Sequence, residues 1–258
     1  MAVLVLSGCG HTTATPARPG HSIARSVSTL GVLGDSISLG VNACGEPGEC
    51  PAASWAMGSD GAVDSLATRI GHERGRRPSV ANGAVSGGTV ATLAQTVHSV
   101  VAAKPQLVTI LIGANDACTP SEATMTSAAG FRRDFGRVLD AVLDGLPHAR
   151  VLALSVPDLY HLAQLGRSTP QISAAWSQLG ICGSLAQSPD AVRQRVDDYN
   201  RAIAELCAGR PRCITDRGAV HSQRFTPAQL SDIDYFHPSR AGQKRIAQLA
   251  WAALQQAS

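Results

Sequence analysis

The chain has 258 residues, 44% of them hydrophobic and 16% charged, with a formal net charge of +3. That is enough to bury one medium-sized core, and the charge is too sparse and too scattered for a nucleic-acid-binding surface. Its only lysines are Lys104 and Lys244, its densest basic run, Arg74-Gly75-Arg76-Arg77, fits a solvated helix end, and no segment carries the ~18 consecutive apolar residues of a membrane span.

At the amino terminus, Leu6-Ser7-Gly8-Cys9 resembles a bacterial lipobox, in which the cysteine becomes the lipidated first residue. The apolar run Ala2 to Leu6 is shorter than the ~7 to 15 residues of a signal core and no positive charge leads it, so either the signal begins upstream or the match is chance; Cys9 being the odd cysteine favours the first. His11 to Ser26 is rich in Thr, Pro, Ala and Gly with no apolar period, as expected of a flexible tether. The chain thus divides into a truncated signal and tether, residues 1–27, and one folded domain, residues 28–258.

Leu30, Val32 and Leu33 make a short apolar strand that Gly34 ends, placing Asp35-Ser36 at its carboxyl end. In open α/β sheets ligands bind at that end. The loop Val41 to Asp60 is expected to line one side of the site. Ala62 to Glu73 has one apolar face and predicts a helix ended by Gly75. Ser79 to Val85 reads as a second strand, Val90 to Ala103 as a helix, and the nearly continuous apolar run Leu107 to Ile112 as a central third strand. Phe131 to Leu146 predicts a helix and Val151 to Ser155 a fourth strand. Asp158 to Ser188 has no clean period and reads as irregular. Asp190 to Ala208 predicts a helix, Cys213 to Thr215 a short strand, and Ser239 caps a last helix through Ala253. Strands alternating with helices imply a largely parallel sheet covered on both faces.

Gly34-Asp35-Ser36 alone reads equally well as a helix N-cap. It is followed in order by Asn82-Gly83-Ala84-Val85-Ser86-Gly87, Gly113-Ala114-Asn115-Asp116 and Asp234-Tyr235-Phe236-His237-Pro238. These four blocks, from about Leu30 to Ala253, resemble the SGNH branch of the GDSL esterase and lipase family. The resemblance implies a three-layer α/β/α sandwich with a mostly parallel central sheet, flavodoxin-like in arrangement. It further implies Ser36 as nucleophile, His237 as base and Asp234 as orienting acid, because a serine hydroxyl needs a base and the base a partner that fixes its tautomer. The oxyanion donors it implies are the N–H groups of Ser36 and Gly87 and the side-chain amide of Asn115, with Gly88 as a register alternative. Asp35 and Asp116 are read as structural. Neither H-x-D nor H-E-x-x-H occurs, nor G-x-S-x-G, and neither metal nor cofactor is expected.

Seven cysteines suit an oxidising compartment. Setting Cys9 aside, six allow 15 connectivities. The reading adopted pairs Cys44 with Cys50 and Cys207 with Cys213, each closing a local loop, and leaves Cys118 for Cys182. Ala117-Cys118 and Ser155-Val156-Pro157-Asp158 look like the secreted, disulfide-containing branch of the family. The expected function is a secreted or surface-anchored carboxylic-ester hydrolase, a monomer held to the membrane through Cys9 and acting on small-molecule or lipid esters. The expected acyl pocket lies between Val41 to Asp60 and Asp158 to Ser188. A carbohydrate O-acetylesterase, or a non-catalytic ligand-binding lipoprotein on a hydrolase scaffold, is the alternative.

Overall fold

A computed structural model describes residues 22–257; Cys9, the lipobox and most of the tether lie outside the described residues. Five parallel strands, β1 (Thr29–Gly34), β2 (Ser79–Asn82), β3 (Leu107–Leu111), β4 (Arg150–Ala153) and β5 (Cys213–Thr215), form one sheet in the order β2-β1-β3-β4-β5. The eleven α-helical segments among the described residues are α1 (Ile23–Ser26), α2 (Leu66–Arg74), α3 (Val90–Ala102), α4 (Ala114–Ala117), α5 (Ala128–Gly145), α6 (Leu159–Ser168), α7 (Pro170–Leu179), α8 (Gly183–Gln187), α9 (Pro189–Ala208), α10 (Ala219–Ser222) and α11 (Arg240–Gln256). The strand order decides the layers. The chain steps one way from β1 to β2 and the other way from β2 through β5, so right-handed crossovers send α2 to one face and α3, α5 and α9 to the other. The packing follows: α3 lies on α5 and α5 on α9, while α1, α2 and α11 touch one another.

Every residue of β3 is buried, and the β1 positions Leu30, Val32 and Leu33 are fully so. This matches their near-continuous apolar runs, since a central parallel strand is covered on both faces. β2 is the edge strand and mostly exposed. It ends at Asn82, three residues earlier than its sequence suggests. The Asn82 side chain accepts the Ala84 N–H at 3.0 Å and turns the chain, although Gly83 and Val85 still donate to Val32 and Gly34 of β1.

Three further expectations are corrected. The last residues of the supposed tether belong to the domain: Ile23, Ala24 and Val27 are buried, and α1 packs on α2 and α11. The helix after Ala62 begins only at Leu66, because Asp64 sits at φ +53° and Ser65 is the cap, accepting the Thr68 N–H. The region Asp158 to Ser188 is helical, not irregular. Asp158 caps α6 by accepting the His161 N–H, Pro170 opens α7, and Gly180 closes α7 in the left-handed region.

The disulfides are Cys44–Cys50, Cys118–Cys182 and Cys207–Cys213, the pairing read from the spacing. They are consistent with an extracellular protein. Among the described residues no helix is long and apolar enough to cross a membrane.

Gly34 is the tightest point at the head of the sheet. A Cβ there would stand 2.3 Å from Ser38 Oγ and 2.8 Å from the Leu111 carbonyl. Gly34→Ala is therefore expected to cost about 1–3 kcal/mol or more, read as a lower urea midpoint at unchanged m value.

Candidate active site

β1 delivers Ser36 to the carboxyl end of the sheet at the β1/β3 boundary, where the strand order reverses and a crevice opens. Beyond Gly34 the chain turns helically, with Ser38 and Leu39 N–H donating to the Asp35 carbonyl and Val41 N–H to that of Ser36. The Asp35 side chain accepts the Ile37 N–H at 2.9 Å and tightens the turn. From the far end of the sequence, Gln243 of α11 donates to the Ile37 carbonyl and accepts the Trp55 N–H, each at 2.9 Å. Ser36 is thus held from both sides and is only 6% exposed.

The second half of the site is the loop before α11. Ser231 N–H donates to the His237 carbonyl and Tyr235 N–H to that of Ser231, with Tyr235 at φ +53°. Asp234 Oδ1 accepts the N–H groups of Phe236 and His237 at 2.9 and 3.0 Å. Asp234 Oδ2 lies 2.5 Å from His237 Nδ1, and His237 Nε2 lies 2.9 Å from Ser36 Oγ. With Nδ1–H directed at the carboxylate, Nε2 is the acceptor and the serine hydroxyl donates. The spacing of three residues between Asp234 and His237 puts both side chains on one side of the loop, as read from the sequence.

Asn115 stands in α4, at the end of β3, and the register pairing Gly34 with Leu111 brings it level with Ser36. Its Nδ2 donates to the Gly88 carbonyl at 3.0 Å. Gly87 is exposed, at φ +71°, a backbone setting that suits glycine. The Gly88 N–H is committed to the Val85 carbonyl, whereas among the described residues those of Gly87 and Ser36 make no hydrogen bond. Beside Ser36, Asn115 and His237 opens a cleft of about 450 Å³, mouth included, walled by Pro157, Leu159, Leu162, Phe225, Leu230 and Phe236. Gly87 is not part of this lining. Nor is the loop from Val41 to Asp60, contrary to expectation; of the expected Asp158 to Ser188 wall only Leu159 and Leu162 of α6 reach the cleft.

Residues 32–245 match the sequence profile of the GDSL-like lipase/acylhydrolase family. The chain belongs to that family. Its fold is shared by an alpha/beta hydrolase from the Lake Arreo metagenome, at 23% identity and TM-score 0.60 over 88% of this chain and 94% of that one. It is shared too by a lipase/acylhydrolase from Enterococcus faecalis (18%, TM-score 0.57, 88% and 95%). A family 3 carbohydrate esterase from Clostridium thermocellum matches at 14% identity and TM-score 0.52 over 87% and 94%. No curated protein matches the sequence.

In this GDSL-family domain two residues that the sequence did not single out touch Asp234. Asn42 Nδ2 donates to Oδ2 at 2.8 Å, and Trp176 of α7 donates its indole N–H to the main-chain carbonyl at 3.0 Å while packing edge-on to Phe236. The one available signal for Asn42 was its place after Gly40, since Asn tolerates the left-handed backbone it adopts, φ +59°. Asp116 is structural, as expected, accepting the Val90 N–H at the start of α3 at 2.9 Å. Among the described residues no cluster of three or more His, Cys, Asp or Glu side chains could hold a metal ion.

Burial pushes the Asp234 carboxyl up, but the His237 hydrogen bond and charge and the two backbone N–H groups more than offset it, and the group stays below the usual carboxylate range. Asp35 goes the other way. Burial pushes it up to about 7, against the opposing Ile37 N–H and the His237 charge. An unfolded chain releases that proton near 3.8, so between about pH 4 and 7 the folded state binds more protons and loses stability as pH rises, with no further loss above. Asp35→Asn keeps an acceptor for the Ile37 N–H and removes this term. Its stability relative to wild type should climb from about pH 4 to 7 and then level off, measured as urea midpoints across that range.

Proposed function

We propose that the protein is a carboxylic-ester hydrolase working through an acyl-enzyme on Ser36. The observation that carries this reading is the hydrogen-bonded chain Ser36–His237–Asp234, 2.9 and 2.5 Å between partners, opening on an apolar cleft. Ser36 Oγ attacks the ester carbonyl while its proton passes to His237 Nε2, and the imidazolium so formed is stabilised by Asp234. The negative oxygen of the tetrahedral intermediate is met by the N–H groups of Ser36 and Gly87 and by Asn115 Nδ2, whose second N–H is uncommitted among the described residues. The committed Gly88 N–H favours Gly87 in this role. His237 then protonates the departing alcohol, and a water deprotonated by the same nitrogen releases the acid and regenerates Ser36.

The apolar walls favour an acyl chain over a sugar, so the substrate is a small-molecule or lipid ester. A carbohydrate O-acetylesterase is the second reading, since relatives with this fold include carbohydrate esterases. The three disulfides support action outside the cell, free or attached through Cys9, and a single copy supplies every group the chemistry uses.

Wild type should turn over short-chain aryl esters and take up one active-serine phosphonate, both lost in Ser36→Ala. Asn115→Ala should keep its fold and lose about 10²- to 10³-fold in kcat. An ester chain-length series run beside acetylated sugars decides between the readings: activity confined to acetyl groups selects the second. A folded wild type with neither turnover nor adduct sinks both and leaves a binding protein.

A further inference from the structure

Asn42 is held more tightly than a surface loop residue needs to be. Its N–H donates to the Gly48 carbonyl and its Oδ1 accepts the Gly48 N–H, both at 2.8 Å. Its own carbonyl accepts Ser231 Oγ at 2.7 Å. With Oδ1 committed to a donor, the amide orientation is settled and Nδ2 must face Asp234. Gly48 lies inside the loop closed by Cys44–Cys50. Asn42, two residues before the ring and bonded to it at Gly48, therefore grips the His237 loop at two points, the Ser231 hydroxyl and the Asp234 carboxylate.

The acceptor at the second point is the informative one. Asp234 Oδ1 already takes the Phe236 and His237 backbone N–H groups, which would be enough to shape the loop. Asn42 bonds instead to Oδ2, the oxygen that holds His237 Nδ1. With both oxygens held, the carboxylate cannot rotate away from the imidazole.

We propose that Asn42, locked by the Cys44–Cys50 loop, is a positioning residue that fixes the Asp234 carboxylate against His237. The proposal rests on the ester-hydrolase reading above. Apart from Asp234, the ionisable group acting on this pair is Asp35, through its interaction with His237. Asp232 and Tyr235 share the loop, with Asp232 exposed. Glu46 and Glu49 on the disulfide ring are exposed, and α7 presents only the neutral Trp176.

Asn42→Asp makes the sharpest test. It sets a second carboxyl where the amide stood, 2.8 Å from Asp234 Oδ2, and two carboxyls that close share one proton. Protonated, the introduced carboxyl is an isosteric donor; ionised, it repels Asp234. The N42D variant should be active on the acid side and lose kcat as pH rises through the titration of the pair, a basic limb that wild type lacks. Asn42→Ala should lower kcat about 10- to 100-fold at all pH values, with KM unchanged because Asn42 does not line the cleft. A Cys44→Ser, Cys50→Ser double variant frees the ring and should show the same kcat loss at constant KM, which keeps the test open if N42D does not fold. A wild-type pH profile in N42D, or full kcat in the double variant, overturns the proposal. Phosphonate labelling of Ser36 in wild type is measured alongside: its absence overturns the hydrolase reading and this proposal together, whereas labelling with unaffected variants overturns this proposal alone.

Discussion

Four N–H groups converge on the buried carboxylate of Asp234, and the site depends on that convergence. A carboxylate 4% exposed would take up a proton unless donors stabilised its charge. Here two backbone amides, the His237 imidazole and the Asn42 side chain supply them. Because it stays charged, it holds His237 in the tautomer whose Nε2 can accept from Ser36. Asn42 also ties the turn after β1 to the loop before α11, so the two ends of the domain are fixed to each other where Ser36, His237 and Asp234 meet. Gln243 repeats the connection one layer deeper, joining α11 to the Ser36 turn and the Trp55 backbone.

The sheet explains why these groups can meet. A strand order that reverses beside β1 leaves the ends of β1 and β3 facing an open crevice, with α2 on one side and α3 on the other. Ser36 leaves β1 and Asn115 leaves β3 at the same level. The turn 86–89 is then fastened to the second of these by neighbouring residues of one helix: Asn115 donates to the Gly88 carbonyl and Asp116 accepts the Val90 N–H. An acidic group at the start of α3 also suits the helix dipole. The Cys118–Cys182 bond joins the end of α4 to the start of α8. α8, which packs on the cleft-walling helix α6, is thereby bonded to the segment carrying Asn115.

Much of this was legible in the chain because its signals are local. Strands such as Leu107 to Leu111 announce themselves by composition, the helix ends by Ser239 and Gly75, and the short disulfide loops by their spacing. Ser36, Asn115, Asp234 and His237, which the fold brings to one place, were readable as candidates because each sits in a compact block at a strand or helix end. What escaped depends on distance. Asn42 and Asp234 are 192 positions apart, and nothing near Asn42 names its partner. Trp176 is set against Asp234 only by the docking of α7, where Gly166 lets the indole lie against α6. The helices α6 to α8 were missed since each is short and buries few residues, so no sustained period appears; their caps, Asp158, Pro170 and Gly180, were the readable evidence. The cleft was misplaced for the same reason. Its walls come from Pro157, Phe225 and Leu230 as well as α6, residues scattered through the carboxyl-terminal half and collected only by the fold.

Three acidic residues in the motif blocks end with three different characters, set by what surrounds them and not by their identity. Asp234 has donors on both oxygens and remains a carboxylate. Asp116 has the Val90 N–H on one oxygen, and burial moves it up. Asp35 is 1% exposed, has the Ile37 N–H as its bonded donor and is pushed up to about 7. The gradient suits the chemistry proposed for the site. A second full negative charge directly behind Ser36 would oppose the oxyanion that forms there, whereas the charge on Asp234 is useful only because His237 stands between it and the serine. Weakening the charge of Asp35 at the Ser36 turn while holding Asp234 ionised behind His237 is an electrostatic separation of two carboxyls, made with burial on one side and hydrogen bonds on the other.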